Sequence, residues 1–581
     1  MGKDIKKNKL KWLIMLILCV LLMAAESYFD LKIPDIMTEI TAYIQNDSND
    51  MKEIILSGMK MLLYTSGSIA ALIAASVIVA KAAADLSAII RRKLFRKTQE
   101  FSFSEINKFS VPSLITRATN DVVNIETTIV TGALVLIKAP IIVLMTLKRI
   151  NGKNTEWSLI TAAATFLIIL ICTVALVIAY RKFVSLQQLT DEVNLVSHEN
   201  LKGIYTVRAY NFETQRFDKF VSKNRNLAMT ERFTNITISV VNTLITFILN
   251  SLPVVIYLVG AYIIEGAGIE KRILVFSDRV VYSTYALQII NAILMVIVVF
   301  IMLPRAMVSV KRIHEVISET VSIKNGTEPA ETNIESIEYK AVDFRYPDAR
   351  KDVVSDISFS ISKGETFAVT GSTGCGKTTL VSLLMRFYDV TGGEILINGR
   401  NIREFTLNGL RSMIGYVPQK SFLFGGTVDS NIAYGSNDTD EQQLMKACYT
   451  SCTDEFIDTL PEKSNSNVSR GGENFSGGQR QRMAIARALY KAPPILIFDD
   501  SFSALDYKTD STVRKRLQAM YKDSIKIIIS QRISTILDAD KIMVLENGEI
   551  SGIGTHDELI RTCDYYREFA SVQMTGGGSV D

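Results

Sequence analysis

The run Phe367-Ala-Val-Thr-Gly-Ser-Thr-Gly-Cys-Gly-Lys-Thr378 joins a short apolar strand to a glycine-rich loop, and a helical pattern, Thr379–Phe387, follows it. Strand, GxxxxGK[ST] loop and helix in that order are the setting in which a loop cradles phosphate. Gly371, Ser372, Thr373, Gly374, Cys375 and Gly376 let successive backbone N–H groups turn into one concavity, and the helix N-terminus behind them adds positive potential. Lys377 brings a point charge to the β- and γ-phosphates, Thr378 brings a hydroxyl to magnesium, and Thr379 continues the first turn. A chance glycine-rich turn would not come with both flanking elements.

Downstream, Pro494-Ile-Leu-Ile-Phe-Asp499 reads as a core strand ending in a carboxylate at the edge of the sheet where α/β folds bind ligands, which makes Asp499 a second magnesium ligand. Other short apolar runs, Thr366–Thr370, Ile395–Ile397 and Ile525–Ile529, alternate with helical patterns from Ile334 onward. They predict an α/β P-loop nucleotide-binding domain over 334–574, with a buried, largely parallel sheet. Residues 317–333 turn polar, and Asn325–Asn333, with Gly, Pro and repeated Thr and Glu, reads as a linker. The closing stretch 575–581, Thr-Gly-Gly-Gly-Ser-Val-Asp, reads as an appended linker scar.

The first 316 residues have a different chemistry. Apolar runs near Trp12–Phe29, Met61–Ala84, Ile129–Leu147, Ser158–Tyr180, Ile238–Ile264 and Val281–Leu303 each approach the ~20 residues a bilayer requires. The expected fold class is an all-α membrane domain of six helices followed by the α/β domain. A mean hydropathy of +0.21 is high for a purely soluble chain and low for one wholly in lipid, which suits this mixture. The first run exceeds a signal-peptide core and lacks a clear cleavage site. Lysines before it, and Arg91-Arg-Lys-Leu-Phe-Arg-Lys97 after the second run, belong on the cytoplasmic side. Asp30, Asp35, Glu39, Asp47 and Asp50 in the first loop suit the outside. Six spans then leave both termini cytoplasmic in a multi-pass protein. One outside loop, with Lys148, Arg149 and Lys153, breaks the charge rule. The long inside loops carry amphipathic stretches such as Leu186–Leu201 and predict helices that continue past the membrane. A net charge of +4 gives no argument for nucleic acid. The six cysteines have no zinc-type clustering and read as reduced thiols.

Phe475-Ser-Gly-Gly-Gln479, followed by Arg480-Gln-Arg-Met-Ala-Ile-Ala-Arg487, resembles the signature motif of ATP-binding-cassette (ABC) proteins, with Phe475 in place of the family's leucine. Other parts follow in the family's order. Tyr346 in Phe344-Arg-Tyr-Pro347 resembles the aromatic that stacks on adenine, and Gln419 in Tyr416-Val-Pro-Gln419 the glutamine at magnesium. Ser503-Ala-Leu-Asp506 resembles the loop that crosses the dimer interface. In the membrane half, Leu114–Asp121 and Val207–Glu213 resemble the two coupling segments of exporter-type members. The resemblance implies Mg2+ and ATP as cofactors, and a two-chain machine closing head to tail. Ser476, Gly477, Gly478 and Gln479 would act on the partner's ATP, and Asp506 would lie at the interface.

Two positions depart from the family. Asp500 stands where a glutamate base is normal, one methylene shorter. Gln531, in Ser530-Gln-Arg-Ile-Ser534, stands where a switch histidine is normal, and it cannot protonate. Together they resemble the degenerate-site subunit of a heterodimeric exporter. The expected partner is a second half-transporter carrying the Glu and His. The runner-up is an ATP-gated channel or regulatory subunit. The role that a Gly-Glu pair plays before the signature is ambiguous in Arg470-Gly-Gly-Glu-Asn474. Glu26 and Lys138 lie in apolar spans, where a charge can line a translocation path; the favoured reading instead puts Glu26 near the outer interface and Lys138 in a pair within the bundle. Tyr282, Tyr285 and Gln288 open the sixth span and suit an amphiphilic or aromatic cargo. The Lys/Asn/Ile-rich composition points to a bacterial plasma membrane.

Overall fold

The computed structural model describes residues 2–45, 51–150, 155–265, 269–436 and 439–575. Asp47, Asp50, Lys153 and the 576–581 tail lie outside them. The chain forms two compact units. One holds residues 1–97 and 112–319, the other 98–111 and 320–581.

The first unit is helical: α1 (Gly2–Gln45), α2 (Met51–Glu100), then, past a short α3 (Phe103–Phe109) that belongs to the other unit, α4 (Val111–Thr116), α5 (Val122–Ile150), α6 (Thr155–Lys202), α7 (Ile204–Ala209), α8 (Glu213–Glu265) and α9 (Ile269–Ser318). A π-helical turn, Arg117–Asp121, joins α4 to α5. Six segments among the described residues are long and apolar enough to cross a membrane. The helices run well beyond bilayer length, and α1, α5, α8 and α9 do so through Pro34, Pro140, Pro253 and Pro304; α6 stops before Gly203. Asn211, at φ 51°, then turns the chain into α8.

The charges in the spans are paired. Lys138 on α5 bonds Glu26 on α1 and lies 3.6 Å from Asp30. Glu26 is 1% exposed. Arg149 bonds Asp35 and donates to the Leu31 carbonyl at 2.6 Å; both charges, expected in loops, lie on helices, Arg149 on α5 and Asp35 on α1. Tyr282 and Tyr285 are not available to a cargo within this chain. Both are buried in the bundle, Tyr282 donating to Ser158 at 3.1 Å and Tyr285 to the Leu31 carbonyl at 3.1 Å. Their hydroxyls serve the polar needs of neighbouring helices in a medium without water.

The second unit has strands β1 (Ser336–Phe344), β2 (Val354–Ser362), β3 (Thr366–Gly371), β4 (Gly392–Ile397), β5 (Arg400–Asn401), β6 (Ile414–Val417), β7 (Gly426–Thr427), β8 (Asn467–Val468), β9 (Ile495–Asp499), β10 (Ile525–Ile529), β11 (Lys541–Glu546) and β12 (Glu549–Gly554). The main sheet has the order β12-β11-β3-β10-β9-β6, parallel except for β12. β3, β9 and β10 are buried along their whole length, as strands covered on both faces must be. A second, antiparallel sheet, β2-β1-β4-β5, was not anticipated. Its mark is the alternation in β1, where Ile337 and Tyr339 are buried while Lys340 is exposed.

Residues 98–111 pack on this second unit. Ser102 and Glu105 form a capping box that starts α3. Phe103 lies 4.7 Å from the Phe387 ring and 6.3 Å from Tyr388. Asn107 Nδ2 donates to the Tyr388 hydroxyl at 3.3 Å. Glu105 accepts from the Ser322 N–H at 3.2 Å. Burial opposes the charge on Glu105, but the bonds from Ser102 and Ser322 hold its carboxyl below the usual range. Leu114–Asp121, expected as the first coupling segment, instead belongs to the helical unit, where Arg117 donates to Glu315 at 3.1 Å. The stretch that docks on the α/β unit lies just before it.

Candidate nucleotide site

β3 ends in Gly371 at φ 143°, where a Cβ would stand 2.1 Å from the Leu545 carbonyl oxygen; only glycine fits. Gly376, at φ 104°, then opens the helix Lys377–Leu384. Lys377 is 8% exposed, and its Nζ donates to the carbonyls of Gly371 at 2.8 Å and Ser372 at 2.7 Å. The ammonium thus sits inside the concavity it was expected to serve, with Cys375 Sγ 3.7 Å away. Thr373 and Gly374 form the loop tip.

The expected metal corner draws on three elements, the loop helix, β6 and β9. Thr378 Oγ1 donates to Asp499 Oδ1 at 3.1 Å, and Tyr416 donates to Asp499 Oδ2 at 3.4 Å. Asp499 ends β9 and is 2% exposed. Burial pushes its carboxyl above the usual range, opposed by the bonds from Thr378 and Tyr416. Burial, and then the Asp499 charge, push the Tyr416 hydroxyl well up, so it remains a donor. A hydroxyl and a carboxylate converging at this distance are hard oxygen donors suited to Mg2+. Tyr416 stood in the quoted Gln419 motif, but its part in holding Asp499 has no sequence signal of its own.

Gln419 Nε2 donates to Asp500 Oδ2 at 3.3 Å, which brings the expected magnesium glutamine to the shortened base. Asp500 is left-handed, at φ 47°, and its N–H donates to the Ile529 carbonyl at 2.9 Å. Gln531 Nε2 lies 3.5 Å from Thr373 Oγ1. Both departing residues therefore stand beside the phosphate loop and its metal corner. Tyr346 is tied to the loop helix, its hydroxyl 3.1 Å from Thr379 Oγ1, and its ring meets Tyr388 edge-on at 5.2 Å.

The signature residues are ordered by their own helix, Gly477–Tyr490. Ser476 caps it and forms a capping box with Gln479, whose Oε1 accepts from the Ser476 N–H at 2.9 Å. Gly477 has open space where a Cβ would be, and Gly478 faces the Ala504 carbonyl. Phe475, in the leucine position, is buried against Phe456. Asp506 caps the helix Tyr507–Met520, and the bond from the Thr509 N–H holds its exposed carboxyl below the usual range. In the ambiguous stretch, Arg470 and Glu473 are both exposed.

Comparison with known proteins agrees with this geometry. A family model described as ABC transporter matches residues 354–503, and one described as ABC transporter transmembrane region matches residues 10–293. An ABC transporter ATP-binding protein of Mycobacterium bovis is 35% identical over 547 residues, 91% of each chain. A Staphylococcus aureus protein, named for multidrug export as an ATP-binding/permease protein, is 33% identical over 497 residues, 83% of each chain. The solved structure of a bacterial Atm1-family ABC exporter with ATP bound aligns with TM-score 0.77 over 99% of each chain at 23% identity, a likeness of fold. The chain belongs to the ABC transporter family, and its six apolar helices followed by an ATP-binding α/β domain make it an exporter half-transporter.

Proposed function

We propose that this chain is the ATP-holding half of a heterodimeric exporter in a bacterial plasma membrane, moving an amphiphilic substrate at the expense of ATP hydrolysed mainly at its partner's site. One observation carries the reading: Asp500 and Gln531 depart from the family together, in a site whose grip on nucleotide is otherwise complete. Tyr346 would stack on the base, Lys377 and the loop amides would hold the phosphates, and Thr378, Gln419 and Asp499 would hold Mg2+. The metal's charge offsets that of the phosphates. Asp500 is one methylene shorter than the usual base and shares its carboxylate with Gln419, which would make it a poor base for the attacking water. The intact Ser476–Gln479 segment completes the partner's competent site. The multidrug name of the Staphylococcus aureus relative supports an amphiphilic substrate.

The test is purification from membranes under mild detergent, with mass spectrometry of whatever chain co-purifies and ATPase measurement of this chain alone. A second half-transporter with Glu and His at the matching positions, and little turnover by this chain alone, are expected. A homodimer with full turnover would overturn the proposal.

A further inference from the structure

The loop bearing Gln531 is held partly from within, Ser530 Oγ accepting from the Arg532 N–H at 2.9 Å. It leads into Ile533–Ile536, a single helical turn whose N-cap position is Arg532. Arginine has no acceptor to offer the first N–H groups of a helix, and none of its side-chain atoms caps this one. The missing cap comes from forty residues downstream. Gln573, on the helix Asp564–Thr575, accepts from the Ile533 N–H at 2.9 Å and donates to the Gln531 carbonyl at 2.8 Å. One side-chain amide thus meets the carbonyl of one residue and the N–H of the second residue after it, as a neighbouring strand would.

The helix that carries Gln573 is firmly seated. Tyr566 and Ala570 are wholly buried in the core, and Tyr566 is bonded to His556 at 2.8 Å. Spacings of four and three residues put 566, 570 and 573 on one helix face. The loop is held from two further directions: Gln531 reaches Thr373 in the phosphate loop, and Arg532 donates to the Ser503 carbonyl at 2.7 Å. Of these three ties, the Gln573 amide is the one that grips the backbone on both sides of Arg532.

We propose that Gln573 is a positioning residue that holds the Gln531–Ile533 backbone where the Gln531 amide can bond the γ-phosphate, so that the C-terminal helix sets how well this site tells ATP from ADP. The inference goes beyond the division of labour proposed above and holds whether or not the site turns over.

The test uses the full chain in membranes, photolabelled with 8-azido-ATP and competed with MgATP or MgADP, so that only nucleotide at this chain's loop is read. Gln573→Met keeps the length and removes both bonds. Gln573→Glu keeps the acceptor for Ile533 and loses the donor to Gln531. With a bond contributing ~0.5–1.5 kcal/mol net, Gln573→Met is expected to weaken competition by MgATP about three- to tenfold. Gln573→Glu should do so to a similar or smaller degree. MgADP competition should be unchanged in both. In a Gln531→Ala background, Gln573→Met should cost nothing further. Equal losses for ATP and ADP would mean that Gln573 only seats its helix. Such losses, an unchanged ATP affinity, or an undiminished effect in the Gln531→Ala background would each overturn the proposal.

Discussion

Replacing Asp500 and Gln531 by Glu and His should return hydrolysis to this chain's own site. The structure sets the size of the effect. Asp500 already faces the metal corner through Gln419, at 3.3 Å, so the position is right and the reach is short. One added methylene extends the carboxylate by at most about 1.5 Å. A well-placed base contributes about 10²–10⁴ in rate, or about 2.7–5.5 kcal/mol of barrier. Asp500→Glu should supply most of that gain, and Gln531→His alone very little, because a switch without a base activates nothing. The substitution has a cost that the backbone announces. At φ 47°, aspartate is tolerated better than glutamate, and the penalty is up to about 1–2 kcal/mol of stability. Thermal unfolding is therefore measured first. The assay traps 8-azido-ADP with orthovanadate, which freezes nucleotide only where a γ-phosphate has left. The unmodified chain should photolabel with nucleotide yet trap almost none, and the double variant should trap it readily. Trapping on the unmodified chain equal to that on the double variant would refute the reasoning.

Lys138→Met should lower stability by about 3–5 kcal/mol, seen as a fall in Tm in detergent, because it strands Glu26 in the bundle; adding Glu26→Gln should recover most of the loss. Burial raises the Asp499 carboxyl, so Mg2+-dependent nucleotide binding should decline on acidification at a higher pH than an ordinary carboxylate would give, and Mg2+ titrations at pH 5.5 and 7.5 check this. For folding the sign is the reverse: the raised group adds stability below its unfolded pKa and loses it as pH rises through the folded one. Tyr388→Leu should leave nucleotide affinity within about twofold while abolishing nucleotide-dependent hydrogen-exchange protection of residues 98–111, because Tyr388 joins Tyr346 to Phe103 and Asn107.

The phosphate loop and the strands around it were legible because their chemistry is local. Gly371 and Gly376 answer to backbone geometry, and β3, β9 and β10 are unbroken apolar runs. The six spans were legible for the same reason: length and hydropathy need no knowledge of neighbours. What escaped depends on distant partners. Nothing in Tyr282 and Tyr285 says that their hydroxyls turn inward to Ser158 and Leu31. Arg149 looked like a misplaced topology signal because its acid is on another helix. Gln573 sits between Val572 and Met574 in an amphipathic helix, and its meaning is carried by a loop forty residues earlier. The docking stretch was placed several residues late because a motif match marks Leu114–Asp121, whereas the contact is made by the aromatic Phe103.

The threading of residues 98–111 into the second unit has a consequence for biosynthesis. α3 leaves the ribosome well before Phe387 and Tyr388 exist, with 277 residues between Phe109 and Phe387. At about 5–20 residues per second, that interval is roughly 15–55 s. For that time Phe103 lacks the rings it packs on, and the contacts of α3 with Phe387 and Tyr388 cannot form. A fragment beginning at the linker would leave Phe387 and Tyr388 without Phe103 and Asn107. Assembly of this chain thus ends where it nearly began, with an early segment waiting for a late surface, and the wait is a window for chaperones, proteases and misassembly.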